Sequence, residues 1–139
     1  MNPSAELKNA MLRLYESIAA GDMSAVERLY SHKNDLLVIG TDPGEWWVGY
    51  ETFARVHQAQ FEEVGRNYTI KPGELSAFVE GTVGWAGGRA TILPPDGQNI
   101  PIRVTVVFHY EDGGWKIMQH YVSVGIPNSE AVGREFTVK

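Results

Sequence analysis

The sequence predicts an α+β domain in which a curved antiparallel sheet folds around three N-terminal helices. Apolar residues recur at helical spacing up to about residue 64, and extended runs bounded by Pro- and Gly-containing turns follow. The chain has 139 residues, 43% of them hydrophobic, which is enough for a substantial core. We therefore expect a single domain over residues 1–139, with a core at about 5–125 and a tail at 126–139.

Capping residues define the first two helices. Ser4 can cap a helix that runs to Ala20, with apolar residues recurring at helical spacing on one face. Gly21 ends this helix, and Asp22 can cap a second, short helix. The two helices are therefore predicted to be joined at Gly21-Asp22.

A buried strand and a loop separate the second helix from the third. Leu36–Ile39 is the strand, Gly40–Gly49 is the loop, and the third helix runs from about Tyr50 to Val64. The rest of the chain is predicted to form a meander of strands: Asn67–Lys71, Leu75–Glu80, Thr82–Leu93, Ile100–Tyr110 and Trp115–Val124. We expect the tail after Gly125 to be extended or frayed.

The last hairpin determines which side chains share a face of the sheet. Glu111-Asp112-Gly113 fits a three-residue loop with Gly113 in the left-handed region, although a four-residue loop would exchange the faces of one strand. The three-residue loop turns the following residues toward the helices: Val104, Val106, Phe108, Met118, His120 and Val122. The opposite face carries large side chains that we expect a second copy of the chain to cover in a homodimer: Trp115, Ile117, Gln119 and Tyr121.

Composition argues against several functional classes. The 12 basic and 17 acidic residues give a net charge of −5, and the basic ones are scattered, so no nucleic-acid partner is expected. The absence of cysteine excludes disulfides and thiolate metal sites, and neither a metal nor another cofactor is predicted. No apolar run reaches membrane-spanning length, and Met1–Leu7 lacks the features of a signal peptide. We therefore expect a cytoplasmic protein without a membrane partner.

The segment Leu36–Phe53 is the candidate rim of a small-molecule pocket. Trp46 and Trp47 stand side by side in a Gly- and Pro-containing loop, where exposed indoles are costly. Asp42 lies close by, and burial among indoles would raise its pKa and suit it to general-base catalysis. The alternative is that Thr-Asp-Pro-Gly is a plain turn in which the Asp42 carboxylate accepts backbone N–H bonds.

Four motifs resemble the SnoaL-like branch of the nuclear transport factor 2-like (NTF2-like) superfamily. They are Gly21-Asp22 between two helices, Asp42-Pro43, Trp46-Trp47-x-Gly49 and Trp115-Lys116-Ile117…Tyr121-x-Ser123. The resemblance covers about residues 5–125. It implies that three N-terminal helices pack in a cone of strongly curved antiparallel sheet, a cystatin-like roll, with an interior pocket and with dimers on the outer sheet face. It implies no single activity, because the superfamily includes isomerases, cyclases, dehydratases and non-catalytic binding or assembly modules.

The resemblance also implies roles at particular positions. Ketosteroid isomerases of this superfamily carry a general-base Asp followed by Pro after the first strand, and Asp42 matches that position. Their oxyanion-hole Tyr falls at Leu14, one position from Tyr15, and their second pocket acid falls near Thr105. Association-domain relatives bind small carboxylates through an inward Arg on a middle strand, and Arg89 lies near that position.

Two histidines are predicted to meet in the pocket. His57 lies one turn after Phe53 on the third helix, and His120 lies on the sheet face toward the helices. Both suit acid–base chemistry, although a lone His among apolar neighbours is more often a core residue. The remaining candidate ligand-binding residues are Tyr15, Trp46, Trp47, Trp85, Arg89, Phe108 and Met118. Structural alternatives stay open, such as core packing for the tryptophans and a surface position for Arg89.

Two functions remain open from these residues. The first is an enzyme that acts on a small hydrophobic, carbonyl- or carboxylate-bearing molecule, with Asp42 shuttling a proton and His57 or His120 polarising an oxygen. The second is a non-catalytic dimeric module that binds a small-molecule ligand or assembles. An acid in the pocket with an adjacent hydrogen-bond donor favours the enzyme. An acid whose carboxylate is hydrogen-bonded within its own turn favours the module.

Overall fold

Helices and strands follow one another largely in the order that the sequence predicts. The computed structural model describes residues 1–64 and 68–137, so the predicted strand start at Asn67 lies outside the described residues. The elements are β1 (Asn2–Pro3), α1 (Ala5–Ala20), α2 (Met23–Leu29), β2 (Leu37–Ile39), β3 (Trp46–Val48), α3 (Tyr50–Val64), β4 (Thr69–Glu80), β5 (Val83–Leu93), β6 (Ile100–Glu111), β7 (Gly114–Ser123) and α4 (Asn128–Ala131). The α+β class is confirmed, and the short helix α4 lies in the tail that was predicted to be extended or frayed.

The strands of the described chain form one curved, open sheet in the order β1-β4-β5-β6-β7-β2-β3. Neighbouring strands pair antiparallel, except that β2 runs parallel to β7. Helix α1 packs on β4 and on α2. The core therefore lies between the helices and one face of the sheet, and its most buried members include Leu7, Met11, Leu14, Val26, Phe53, Val106 and Phe108.

The predicted helix caps are confirmed at atomic detail. The Ser4 hydroxyl accepts a hydrogen bond from the Leu7 N–H at 3.2 Å, and the Asp22 carboxylate accepts one from the Ala25 N–H at 3.1 Å. Gly21 ends α1 in the left-handed region, with φ of 67°. These residues satisfy backbone groups that the helix ends leave unpaired, and they fix the sharp joint between α1 and α2.

The predicted loop Gly40–Gly49 contains a strand that the sequence analysis did not anticipate. Residues 46–48 pair antiparallel with β2, so that Trp47 faces Val38 and Trp46 faces Ile39 across the ladder. Because neighbouring side chains on a strand point to opposite faces, the two indoles separate. Trp47 turns inward, and Trp46 stays 62% exposed on the outside.

The predicted three-residue loop of the last hairpin is wrong by one residue. Glu111 pairs with Gly114, and the turn consists of Asp112 and Gly113 alone, with φ of 52° and 80°. Two consecutive residues at positive φ are characteristic of a type I′ turn, whose twist matches that of the flanking strands. The shorter turn moves Ile117 opposite Phe108, where it is buried in the core.

A β-bulge then restores the predicted faces of the later β7 residues. Phe108 pairs with Ile117 but Val107 pairs with Gln119, which leaves Met118 as an extra residue. Beyond the bulge, His120 pairs with Val106. Its side chain lies on the inner face of the sheet, as predicted. Trp115 also packs against the core, so that Trp115 and Ile117 leave the face assigned to the homodimer, while Gln119 and Tyr121 stay on it.

A buried carboxylate ties the loop after α2 to the end of β6. The Glu111 side chain is 7% exposed and accepts hydrogen bonds from Ser31 Oγ at 2.6 Å and from His109 Nδ1 at 3.0 Å, while Lys33 Nζ lies at 3.1 Å. Burial alone would raise the pKa of this carboxyl. The three donors outweigh burial and lower the pKa from the ordinary 4.5 to about 2.

We expect Glu111→Gln to lower the free energy of unfolding at pH 7 by about 1–3 kcal/mol, because it removes the charge that these donors surround. Since the folded pKa lies below 4.5, the contribution is complete above that pH and disappears as the pH falls toward 2. Chemical denaturation at pH 7 and pH 3 measures it, with the exposed Glu130→Gln as control. Equal midpoints for the two variants at pH 7 would contradict the assignment.

Candidate functional site

A cavity of about 250 Å³ lies between the inner sheet face and helices α1 and α3. Most of its wall is apolar and comes from these residues: Tyr15, Ile18, Tyr30, Val38, Ile39, Trp47, Phe53, Ile70, Ile92, Ile102, Val104 and Val122. Its polar lining side chains are Thr41, Glu45, His57, Gln60 and His120. A few polar groups in an apolar enclosure are typical of sites that orient a small organic molecule.

The two histidines predicted to converge do line this one cavity. His57 projects from α3 one turn after Phe53, and the two rings lie 4.9 Å apart between centroids. His120 projects from β7 beyond the bulge, next to Val38 of the parallel strand β2. The helix period and the bulge together bring them to the same space from elements far apart in sequence.

Burial keeps both imidazoles neutral at physiological pH. It lowers the pKa of His57 from 6.5 to about 4. It also lowers the pKa of His120 to about 4, with the nearby His57 as a smaller cause. Each neutral ring has one nitrogen that donates and one that accepts.

Tyr30 orients the His120 ring. Its hydroxyl lies 2.7 Å from His120 Nδ1, and its ring stacks at a tilt on Phe53 with 4.4 Å between centroids. Burial raises the pKa of the Tyr30 phenol, with Tyr15 as a further cause, so Tyr30 keeps its proton. When that proton is donated to Nδ1, His120 carries its own proton on Nε2.

One imidazole nitrogen of each histidine is buried and unpartnered. Neither His57 Nδ1 nor His120 Nε2 has a hydrogen-bond partner among residues 1–64 and 68–137. An unpaired buried polar atom costs about 1–3 kcal/mol, so native proteins usually pair such atoms. Both residues line the cavity, so two unpaired polar atoms lie in its walls.

Asp42 does not lie in this cavity. It is exposed at the tip of the β2–β3 hairpin, where its Oδ1 accepts the Gly44 N–H at 2.8 Å. The expected burial among indoles is therefore wrong, because the hairpin turns Asp42 outward and separates Trp46 from Trp47. The observed geometry matches the alternative of an Asp that stabilises its own turn.

Glu45, the second acid of the tryptophan loop, is the one that lines the cavity, although only Asp42 was predicted as a site residue. Its Oε2 accepts a hydrogen bond from Gln60 Nε2 at 3.0 Å, and its Oε1 accepts one from the Asp42 N–H at 2.9 Å. Gly40 makes room for it, because a Cβ there would lie 2.9 Å from the Glu45 Cβ. The available signal was the two-residue spacing to Trp47, which places both on one face once a strand is recognised.

The cavity continues outward into a wider space of about 520 Å³. Glu45, His57 and Gln60 line both spaces, and Phe61 and Tyr68 line the outer one. His57 is thus part of the wall that the two spaces share. In both spaces, the lining that the structure describes contains no Lys or Arg, and no group of three potential metal ligands converges among the described residues.

The other predicted ligand-binding residues divide into two groups. Tyr15 and Trp47 line the cavity, and burial raises the pKa of the Tyr15 phenol, which keeps its proton. The second group is absent from the lining: Trp46, Trp85, Arg89, Phe108 and Met118. Tyr30 and Gln60 line the cavity but were not selected, although Tyr30 closes the apolar series of α2 in the sequence.

Each residue of the second group has an identifiable place. Trp85 packs against Phe78 with 6.2 Å between ring centroids, Phe108 is buried in the core, and Met118 is the extra residue of the bulge. Arg89 points to the outer face, where its side chain is 76% exposed and its Nε lies 3.2 Å from Glu74 Oε1. Of the two placements left open for Arg89, the structure shows the surface position, so Arg89 is not a ligand-binding residue of the cavity.

The model of the SnoaL-like domain matches residues 7–127, whereas no curated protein sequence matches the chain. None of the described helices has the length and apolar character needed to cross a bilayer.

Solved structures resemble the chain in fold. An NTF2-like protein of unknown function from Pseudomonas putida KT2440 is 15% identical, with a TM-score of 0.80 over 97% of this chain and 94% of that one. A proposed dehydratase of the NTF2-like family from Streptomyces avermitilis is 20% identical, with a TM-score of 0.74 over 87% and 94%. A proposed calcium/calmodulin-dependent protein kinase II association domain from Xanthomonas campestris is 18% identical, with a TM-score of 0.70 over 88% of each.

We expect the free energy of unfolding to fall as the pH drops from 6.5 to 4. With folded histidine pKa values of about 4, the unfolded chain binds more protons in this window. For His120, which is 8% exposed, the loss by pH 4 should approach about 3 kcal/mol.

Chemical denaturation from pH 7 to pH 4 measures this loss. His120→Gln should flatten the pH dependence, whereas the exposed control His32→Gln should leave it unchanged. NMR titration of the rings gives a direct reading, and imidazole signals of His57 and His120 that titrate near pH 6.5 would contradict the assignment.

Proposed function

The chain belongs to the SnoaL-like family of the NTF2-like superfamily, and from that premise we propose that it is an enzyme that transfers a proton next to the carbonyl group of a small, uncharged molecule. The reaction is of the dehydratase type. His57 is the proton-transfer residue, and His120 with Tyr15 donates hydrogen bonds to the carbonyl oxygen. The family alone assigns no chemistry, so the proposal rests on the cavity.

The observation that carries the proposal is the pair of unpartnered, neutral imidazole nitrogens in one apolar cavity. A neutral His57 can accept a proton, because Nδ1 is free when the ring proton is on Nε2. A neutral His120 with its proton on Nε2 can donate a hydrogen bond without carrying a charge, and Tyr30 favours that tautomer. One base and one donor are the two parts that proton abstraction beside a carbonyl requires.

The steps balance with these two residues. His57 takes a proton from the carbon next to the carbonyl and becomes an imidazolium, while negative charge develops on the oxygen that His120 and Tyr15 contact. The carbon–oxygen bond at the next carbon then breaks, and the imidazolium returns the proton to the departing hydroxyl, which leaves as water. The product is a conjugated carbonyl compound, and His57 is neutral again.

The cavity wall indicates the substrate class. The described lining contains no cation and is mostly apolar, so a carboxylate or phosphate would lose its hydration without an ion partner. The volume of about 250 Å³ suits a small molecule, with the wider outer space available for a substituent. An uncharged β-hydroxy ketone or aldehyde therefore fits best. The structural likeness to a proposed dehydratase is consistent with this class.

A non-catalytic binding or assembly module is the second candidate. Its support is the exposed Asp42, which is engaged in its own turn, and the likeness to a proposed kinase association domain. In that case the cavity binds an oxygen-bearing ligand through the same two histidines and no bond is broken.

We expect His57→Gln to reduce turnover by about 10²–10⁴-fold, because it removes the proton acceptor, while affinity for a saturated ketone stays within about tenfold. His120→Leu removes a donor to the developing negative charge and should cost about 10²–10³-fold in kcat. The assay is a panel of small β-hydroxy ketones, followed through the ultraviolet absorbance of the conjugated product.

His32→Gln is the matched control, because His32 is exposed and stacks on Tyr50 outside the cavity. Its turnover should equal that of the wild type. Binding of saturated ketones without turnover of any β-hydroxy ketone would refute the enzyme proposal and favour the binding module.

We also propose a homodimer through the outer face of β3, β2, β7 and β6. Four exposed apolar side chains lie on this face: Trp46 at 62%, Val48 at 56%, Tyr121 at 42% and Val107 at 37%. The strand registers make them neighbours, because Leu37 and Ile39 of β2 connect the β3 pair to β7. This patch replaces Trp115 and Ile117 of the original prediction and keeps Gln119 and Tyr121.

We expect Tyr121→Asp to weaken the dimer by about thirtyfold or more, since a central aromatic residue of an interface commonly contributes about 2 kcal/mol or more. Sedimentation velocity across a concentration series measures the shift. Leu12→Asp adds the same charge at an apolar residue that is 36% exposed on α1, on the other side of the sheet, and should leave the dimer intact. A wild-type monomer at high micromolar concentration would refute the interface.

A further inference from the structure

A second concave site lies on the outer face of the sheet, opposite the cavity. It is a groove of about 550 Å³ across β4, β5 and β6. Three cations line it, one from each strand: Lys71, Arg89 and Arg103. Nothing in the proposed function uses this groove.

The groove concentrates positive charge in a chain whose net charge is −5. Arg89 faces Arg103 directly across the β5–β6 ladder, and Lys71 lies on the neighbouring strand opposite Thr91. Like charges in directly opposed positions of a sheet are destabilising. Because these opposed cations lower the stability of the fold, we expect them to have a function at this position.

Acidic side chains of the protein compensate these cations only in part. Glu74 pairs with Arg89 at 3.2 Å, but both side chains are about three-quarters exposed, at 75% and 76%, and such pairs contribute little. Within the described part of the chain, neither Arg103 nor Lys71 has a carboxylate partner. The groove therefore keeps a local excess of positive charge.

Local structure shapes and orients the site. The register of β4 against β5 shifts between Pro72 and Leu75, and Gly73 comes so close to β5 that a Cβ would lie 2.9 Å from the Arg89 carbonyl oxygen. This irregularity bends β4 beside Arg89. Across the groove the Arg103 Nε donates to Ser123 Oγ at 3.2 Å, which holds the guanidinium and leaves its terminal nitrogens for another partner.

We propose that this groove binds the phosphate or carboxylate group of a small anionic molecule. Two opposed guanidinium groups suit an anion with several oxygens, because each Arg can donate two parallel hydrogen bonds. Lys71 adds a third positive charge at the edge. The site is independent of the cavity, because it lies on the other face of the sheet and the described cavity lining holds none of these cations.

Isothermal titration and NMR at low ionic strength test the proposal with inorganic phosphate and succinate as probes. Arg103→Gln should weaken binding of at least one probe about tenfold or more, since it removes charge-assisted hydrogen bonds. Arg103→Lys keeps the charge but loses the two parallel hydrogen-bond donors of the guanidinium. Its affinity for the probes should therefore lie between those of the wild type and Arg103→Gln. Arg13→Gln on α1 removes the same charge from an exposed position outside the groove and is the matched control.

Stability of the variants separates binding from folding. Because Arg103→Gln relieves repulsion from Arg89, its melting temperature at low salt should equal or exceed that of the wild type. Phosphate should raise the melting temperature of this variant less than that of the wild type. If this variant fails to fold, Lys71→Gln replaces it. Equal weakening by Arg103→Gln and Arg13→Gln, or no measurable affinity for either probe, would overturn the site. Binding to vesicles of phosphatidylglycerol without affinity for the soluble probes would also overturn it.

Discussion

A single extra residue in β7 determines what the inner face of this sheet can do. Ile117 and His120 both point toward the helices although they are three positions apart, which a regular strand with a two-residue period does not allow. Met118 supplies the additional residue, so the strand fills the core with Ile117 before the bulge and presents His120 to the cavity after it. The same stretch pairs in parallel with β2, which brings Val38 and the β2–β3 hairpin beside the histidine.

The proposed chemistry depends on the burial of the two histidines by this arrangement. Burial makes the charged forms of both histidines unfavourable and thereby holds the rings neutral. Burial also makes an unpaired nitrogen costly, so the histidines weaken the apo fold in the same place where they offer contacts to a ligand. Tyr30 reduces this cost in part, because its hydroxyl pairs with one nitrogen of His120 while its own ring stays in the core. Stability is thus given up at the positions best suited to acid–base chemistry.

Local signals were sufficient for the helices and for the fold class. Ser4, Gly21 and Asp22 act within one turn of the chain, so their effect does not depend on the rest of the molecule. The register of the strands, in contrast, does depend on the rest of the molecule. The type I′ turn at Asp112-Gly113 and the bulge at Met118 each shift the register of β7 by one residue in the same direction. The total of two residues is a full strand period, so His120 keeps its predicted face while Ile117 does not. A bulge leaves no distinct mark in a single sequence, because its benefit comes from neighbouring strands and from the core.

The β2–β3 hairpin explains why Glu45, and not the predicted Asp42, is the acid that lines the cavity. In the sequence, Asp42 occupies the position that the resemblance links to catalysis, and two tryptophans follow it. In the structure the chain turns back at Asp42 and runs as a strand, so alternation sends Glu45 and Trp47 inward and leaves Asp42 and Trp46 in solvent. The carboxylate that enters is held by Gln60 and by the Asp42 N–H, so Asp42 serves the site through its backbone. With Glu45 occupied in closing the loop over α3, the imidazole of His57, which lines both the cavity and the wider space, keeps an unpartnered nitrogen, and for this reason the proposed proton transfer begins there.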